Sequence, residues 1–289
     1  MIVPACLLGA ALCSGPVFGQ VGPPSWSGST LVPSEVGFPV GLHEPADADR
    51  SRSLPRPVIH QAGAPTAPDV DFSSFFTTLG WNFTRGLFST ANLLPLVIGG
   101  GTALAVLPFD DEISDELRGR ATELGDSGNI VGSPVTIGVS VGAMLLAVPF
   151  TENRRFRAFA FSLAQAHIVD TGLKYALKSA VSRTRPNGEN ENAFPSGHTV
   201  STFAVATVAG HYYGTKVSVP AYAIAALVGV SRIENGKHYL SDVIFGATLG
   251  YIAGRTAVRG TERSLARQRM TLQPVVGWGR TGLVARWVF

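Results

Sequence analysis

The chain is poor in cysteine and in charge. Its only two cysteines, Cys6 and Cys13, both lie in the apolar N-terminal stretch, which excludes a disulfide scaffold. Charged residues make up 15 % of the 289 residues, against roughly 25 % in a soluble domain. Lys/Arg-rich runs and aromatic–basic interleaving are missing, so no nucleic-acid face is expected. His, Cys, Asp and Glu do not cluster at ligand spacing, so no metal and no cofactor is expected. What remains is apolar: 45 % hydrophobic residues and a mean hydropathy of +0.23, too much to leave unfolded in water. The net charge of +3 and pI near 9.0 suit a membrane surface or an anionic ligand.

Residues Ile2 to Leu12 read as the apolar core of an export leader cleaved after Gly19, although no Lys or Arg precedes the run; a retained short anchor is the alternative. Residues 20–70 read as a Pro/Gly/Ser-rich linker. More than half of the 19 prolines fall between Ser14 and Pro68, and His43 and His60 there are taken as solvated. From Asp71 the chain reads as helical. Phe72, Phe75, Phe76, Leu79 and Phe83 recur at helical spacing. Apolar segments follow at Leu93–Phe109, Pro134–Phe150, Phe156–Val181, Thr199–Tyr213, Val217–Val230 and Tyr239–Ala257. The expected fold class is all-α, a bundle of about six helices over residues 71–260. Residues 261–289 read as a tail with a short β-hairpin turning at Gly279–Gly282.

Several apolar runs fall short of the roughly 20 residues that a span requires. Charge placement still favours a membrane. Arg154, Arg155 and Arg157 share one loop and Arg255 to Arg269 follow the last apolar segment, which meets the positive-inside rule if the loops near Arg185 and His238 face outward; after a cleaved leader that requires Phe72–Thr90 to enter the bilayer too, and the alternative is a peripheral bundle that does not cross. The number of spans stays open.

Three clusters carry the chemistry. Lys178 and Arg185 lie about two helical turns apart, before Pro186 stops the helix, and both can face one anion. Ser196 stands where a helix would be capped. Gly197 and His198 form the first turn, whose free N–H groups and dipole attract an anion. Arg232 ends another helix. His238 and Asp242 are four apart and would share a helix face, Asp242 fixing the tautomer of His238 and leaving one ring nitrogen as a nucleophile. A tetrahedral oxyanion such as phosphate fits these donors. Asp170 and Lys174, also four apart, are expected to pair inside the bundle. Arg183 and Lys237 could touch a head group, while His211 and Glu234 read as surface.

These clusters resemble the signature of the type 2 phosphatidic acid phosphatase (PAP2) superfamily: K-x6-R-P, P-S-G-H and S-R-x5-H-x3-D, met at every fixed position from Lys178 to Asp242. The resemblance covers about Leu93 to Ala257. It implies a PAP2-like bundle and a metal-independent phosphatase with a phosphohistidine intermediate. In that scheme His238 attacks phosphorus, Asp242 supports it, and His198 protonates the leaving oxygen before activating water. Lys178, Arg185, Ser196, Gly197 and Arg232 hold the other oxygens. A bell-shaped pH–rate profile is expected. The favoured substrate is a lipid phosphate or pyrophosphate at the bacterial envelope, hydrolysed on the periplasmic side. The rivals are a soluble periplasmic acid phosphatase, a vanadate-dependent haloperoxidase and a non-catalytic envelope scaffold.

Overall fold

The computed structural model describes residues 69–70, 72–119, 128–268, 270–277 and 280–287. The expected leader and all but the end of the linker lie outside them. Eight helices of eight residues or more stand among the described residues: α1 (Phe72–Trp81), α2 (Leu93–Val106), α3 (Asp110–Leu117), α4 (Pro134–Ala147), α5 (Arg154–Ala180), α6 (Gly197–Tyr213), α7 (Thr215–Glu234) and α8 (Leu240–Gln268). Several boundaries follow local chemistry. Ser133 caps α4 by accepting from Val135 N at 3.2 Å, with Pro134 in the first turn. Asn153 caps α5 by accepting from Phe156 N at 3.1 Å. Gly214, at φ +80°, parts α6 from α7, and few other residues adopt that conformation.

Helices α5, α6 and α8 form the centre. Gly246, Gly250 and Gly254 make one stripe along α8, and α6 lies directly on it. A Cβ at these positions would stand 2.9 Å from Ser196 O, 2.2 Å from Val200 O and 2.9 Å from Ala204 O. Only glycine permits that approach, a packing device common between helices in lipid. Phe161, Val208 and Ala257 fill the core beside this seam. Polar pairs also lie inside: Asn82 Nδ2 donates to Gln165 Oε1 at 2.6 Å, and Ser162 Oγ to Thr261 Oγ1 at 2.8 Å.

The outer faces of α2, α4 and α7 are apolar and exposed, including Val97, Leu104, Val139, Leu146, Val219 and Leu227. Thr90–Leu117 and Thr215–Glu234 are each long and apolar enough to cross a membrane, which fits a membrane protein.

Two sequence readings change. Helix α8 runs to Gln268, through residue 260, so Arg255, Arg259, Arg263 and Arg267 lie within the helix rather than after it. They have work there: Arg255 Nη1 donates to Ala91 O at 3.0 Å, and Arg263 stacks over Trp81 at 5.2 Å. The acidic stretch after Phe109 opens with α3, whose acids sit at the helix N-terminus, where the dipole favours them. Beyond α8, Met270–Gly277 pairs antiparallel with Arg280–Trp287, and Gly277 opposes Arg280. Arg280, Thr281 and Gly282 therefore belong to the second strand, not to the turn.

Candidate active site

Chain direction alternates through α5 to α8, so the end of α5, the start of α6, the end of α7 and the start of α8 meet at one pole. Lys178 lies in the last turn of α5, Ser196 caps α6, Arg232 lies in the last turn of α7, and His238 stands just before α8. Backbone bonds tie the intervening loops into one frame. Asn187 N donates to Gly236 O at 3.0 Å, Ser196 N to Asp242 O at 3.2 Å, and Ala193 N to Arg183 O at 3.0 Å.

The cations converge. Lys178, Arg185 and Arg232 all act electrostatically on His238, while Arg232, Lys174 and Arg185 act on His198. Lys178 Nζ donates to Asn192 O at 2.6 Å. Burial, then Arg185, pushes the Lys178 ammonium down to about 8. Arg232 is only 5 % exposed, and its Nε and Nη1 are buried without a hydrogen-bond partner, as is Nε of Arg185. A buried guanidinium in that state is costly until an acceptor reaches it. Arg185 does have one anion beside it: its Nη1 meets Glu189 Oε2 at 3.2 Å, and Lys237 ion-pairs with the same oxygen. Ser196 occupies the capping position as expected. Its hydroxyl, however, pairs with Thr199 Oγ1 at 2.8 Å and caps no backbone N–H. Gly197 rests on the Lys174 stem, whose Cδ would stand 3.4 Å from an added Cβ.

The histidines are held by the backbone. His238 is 3 % exposed, and its Nδ1 hydrogen-bonds the Ala193 carbonyl. A carbonyl accepts, so Nδ1 carries the proton and Nε2 the lone pair. Burial, then the Lys178 charge, holds His238 well below the usual histidine range, hence neutral. His198 hydrogen-bonds the Asn129 backbone, and burial followed by the Arg232 charge pushes it down to about 4.

Asp242 does not do what its spacing suggests. Helix α8 starts at Leu240, so His238 and Asp242 share no helix face. Asp242 Oδ2 accepts from Tyr239 N at 2.9 Å, and Oδ1 takes Arg183 Nη1 at 2.6 Å. Burial raises this carboxyl to about 6 against the pull of Arg183. Arg183, read as a head-group contact, instead bridges two buried carboxylates. Its Nη2 meets Asp110 Oδ2 at 2.7 Å, and its guanidinium lies 4.2 Å from the Tyr239 ring centroid. Asp110 in turn accepts from Ser241 N at 2.9 Å and so fixes the start of α8. Sequence reasoning missed Asp110, Ala193 and Asn129. Two of them act through backbone atoms, and the third is 131 residues from its partner. Asp170 and Lys174 pair as expected at 2.8 Å, and both are buried. His211 meets Glu262 at 3.0 Å, away from this pole. Among the described residues, no three His, Cys, Asp or Glu side chains gather as a metal site.

Fold and site define a helical-bundle protein with a buried cationic pole carrying two histidines. Residues 156–265 match the PAP2 superfamily. The chain is 42 % identical over 86 residues to the lipid A 1-phosphatase of Porphyromonas gingivalis, covering 29 % of this chain and 19 % of that protein. It is 30 % identical over 115 residues to phosphatidylglycerophosphatase B of Bacillus subtilis, covering 35 % and 56 %. The matches thus span 19 % and 56 % of these two relatives. Among solved structures, Aquifex aeolicus LpxE matches with a TM-score of 0.43 and 23 % identity, covering 53 % of this chain and 94 % of that one.

Proposed function

We propose that this protein is a metal-independent phosphatase that hydrolyses a phosphate monoester or pyrophosphate bond of a lipid phosphate through a phosphohistidine intermediate. The observation that carries the reading is the buried, unpaired edge of Arg232 beside Arg185, Lys178 and two histidines. A phosphoryl group supplies the missing acceptors, and the cations offset the charge that grows on its oxygens. Its relatives are named for lipid A and phosphatidylglycerophosphate, so the substrate class is a lipid phosphate.

His238 Nε2, the free lone pair, attacks phosphorus as the bond to the leaving oxygen breaks. His198 gives that oxygen its proton. Water, deprotonated by His198, then attacks the phosphohistidine and releases phosphate and neutral His238. Burial is the first cause that depresses His198 and the Arg232 charge the second; a phosphate dianion between Arg232 and Arg185 offsets that charge and raises His198 toward carrying the proton it must donate. Asp242 acts as a positioning residue, through Tyr239 and Arg183. Lys178, Arg185, Arg232, Ser196 and Gly197 surround the non-bridging oxygens. The site would face the bacterial periplasm, because Arg154, Arg155 and Arg157 mark the opposite end of α5 as cytoplasmic.

The test is phosphate release by purified full-length protein from lipid phosphates and p-nitrophenyl phosphate, with and without EDTA. Release insensitive to EDTA is expected. His238→Asn, which keeps a donor for the Ala193 carbonyl, should lower kcat by about 10³-fold or more. Wild-type rates in that variant would remove the nucleophile assignment.

A further inference from the structure

Residues 128–132 form a single helical turn ahead of α4, closed by Gly132 N donating to Gly128 O at 3.0 Å. The turn lies outside residues 156–265, the stretch that matches the PAP2 superfamily. Its two glycines are four apart, share one face and are buried. That face rests on α7 toward its C-terminal end. A Cβ on Gly128 would stand 2.0 Å from Ser231 Oγ, and one on Gly132 would stand 2.4 Å from Val228 Cγ1. A larger residue at either position pushes the turn off the helix. Ile130 and Val131 lie on the outer side, 68 % and 51 % exposed.

The same turn reaches His198. A Cβ on Gly132 would also stand 3.4 Å from His198 Cβ, and the Asn129 backbone hydrogen-bonds the imidazole. That bond favours the protonated ring, so the Asn129 carbonyl accepts and a ring N–H donates. The charged groups acting on His198 are Arg232, Lys174 and Arg185, cations with no lone pair to offer the ring. A main-chain carbonyl therefore decides which ring nitrogen carries hydrogen and which way the ring faces. Ser231, on which Gly128 rests, adjoins Arg232 on α7, so the turn ties His198 to the helix that delivers this guanidinium.

Resting on the phosphatase reading, we propose that the 128–132 turn is the positioning element of the general acid: its close glycine contacts with α7 hold the Asn129 carbonyl on one ring nitrogen of His198 and aim the other at the leaving oxygen. The turn acts through His198. When a methyl group lifts it from α7, the ring is released, and the rate loss falls on leaving groups that need a proton.

The experiment measures kcat/KM of the full-length protein for benzyl phosphate and p-nitrophenyl phosphate, in the wild type and in Gly132→Ala. This ratio reports the first phosphoryl transfer. p-Nitrophenolate leaves without a proton, whereas the benzyl alkoxide needs one. Gly132→Ala should lower kcat/KM for benzyl phosphate at least about tenfold more than for p-nitrophenyl phosphate. Val228→Ala added to that variant removes the methyl that the new Cβ meets, and should recover most of the loss. Sulfate affinity should be unchanged in Gly132→Ala, which separates a turned ring from a collapsed pole. No loss, or equal loss on both substrates, overturns the proposal. A second readout needs neither turnover nor a stable variant: ring-nitrogen NMR of the wild type in micelles, with the His198 signal assigned by its absence from His198→Gln. A single tautomer at neutral pH, turned into a mixture by Gly132→Ala, upholds the clamp even if no phosphate ester is hydrolysed, and the phosphatase reading then falls alone. Two tautomers in the wild type overturn the clamp whatever the activity.

Discussion

Inside the bundle Asn82 meets Gln165, Ser162 meets Thr261, and Arg183 holds Asp110 and Asp242. Outside, α2 turns Leu94, Val97 and Leu104 outward, and α7 does the same with Val219 and Leu227. Water-soluble bundles place these residue types the other way round. The two regions therefore answer to different solvents. The apolar surface is stable where the surroundings are hydrocarbon. The polar interior is stable because these side chains find partners within the fold, the pairing that a buried polar group requires. At the catalytic pole the groups left unpaired are cationic donors, Nε and Nη1 of Arg232 and Nε of Arg185. The contrast separates polar groups that hold the fold from polar groups kept open for a ligand.

The sharpest way to break this contrast is to remove Arg183. Its side chain is 24 % exposed, while the carboxylates of Asp110 and Asp242 are 3 % and 0 % exposed. Arg183→Ala leaves both carboxylates buried without their cation, an arrangement that costs about 3 kcal/mol. Thermal unfolding should show that loss, and turnover should fall with it because Asp242 and Ser241 fix the start of α8. Asp110→Asn in the Arg183→Ala background should recover part of the stability, since one of the two stranded charges is then gone. A single variant that melts like the wild type would mean that the interior network contributes nothing.

The outer face is tested at Leu104, near the middle of the Thr90–Leu117 stretch and 71 % exposed. Leu104→Asp puts a charge at the centre of a span, which costs about 3 kcal/mol of insertion in hydrocarbon. In water the same surface change stays within about 0.5 kcal/mol. Lower membrane yield and easier extraction at alkaline pH are expected. An unchanged membrane fraction would place α2 outside the bilayer.

The two regions were unequally legible in the sequence. The three clusters from Lys178 to Asp242 could be read because each is local and each side chain has one plausible chemistry. The apolar faces showed as runs. The framework around the site did not show, for physical reasons. Asp110 reaches Ser241 across the fold, so no spacing links them. Ala193 and Asn129 act through main-chain atoms that every residue has. Asp242 was assigned to His238 because a spacing of four implies a shared face, but only inside a helix, and the helix begins after His238. One legible signal was passed over: Arg255, Arg259, Arg263 and Arg267 recur every four residues, which is helical spacing and extends α8 past residue 260.

The smallest predicted effect concerns the open pole. Sulfate keeps both its charges across ordinary pH, so any pH dependence of its binding belongs to the protein. Burial and the Arg232 charge hold His198 down to about 4 when the site is empty. Sulfate beside Arg232 and Arg185 offsets that charge and raises the His198 pKa. The bound state then holds more protons than the free state, so affinity rises as pH falls. The slope approaches tenfold per pH unit at most, within the window between the free and bound His198 values. Lys178, down at about 8, adds a second limb, since its discharge above that pH weakens sulfate binding. Calorimetry in two buffers of different ionisation enthalpy should therefore show proton uptake near pH 6. His198→Gln should flatten the acid limb, and Lys178→Met the alkaline one. If sulfate affinity is level between about pH 5 and 7 in the wild type, His198 does not sense the anion, and the proton for the leaving oxygen has another source.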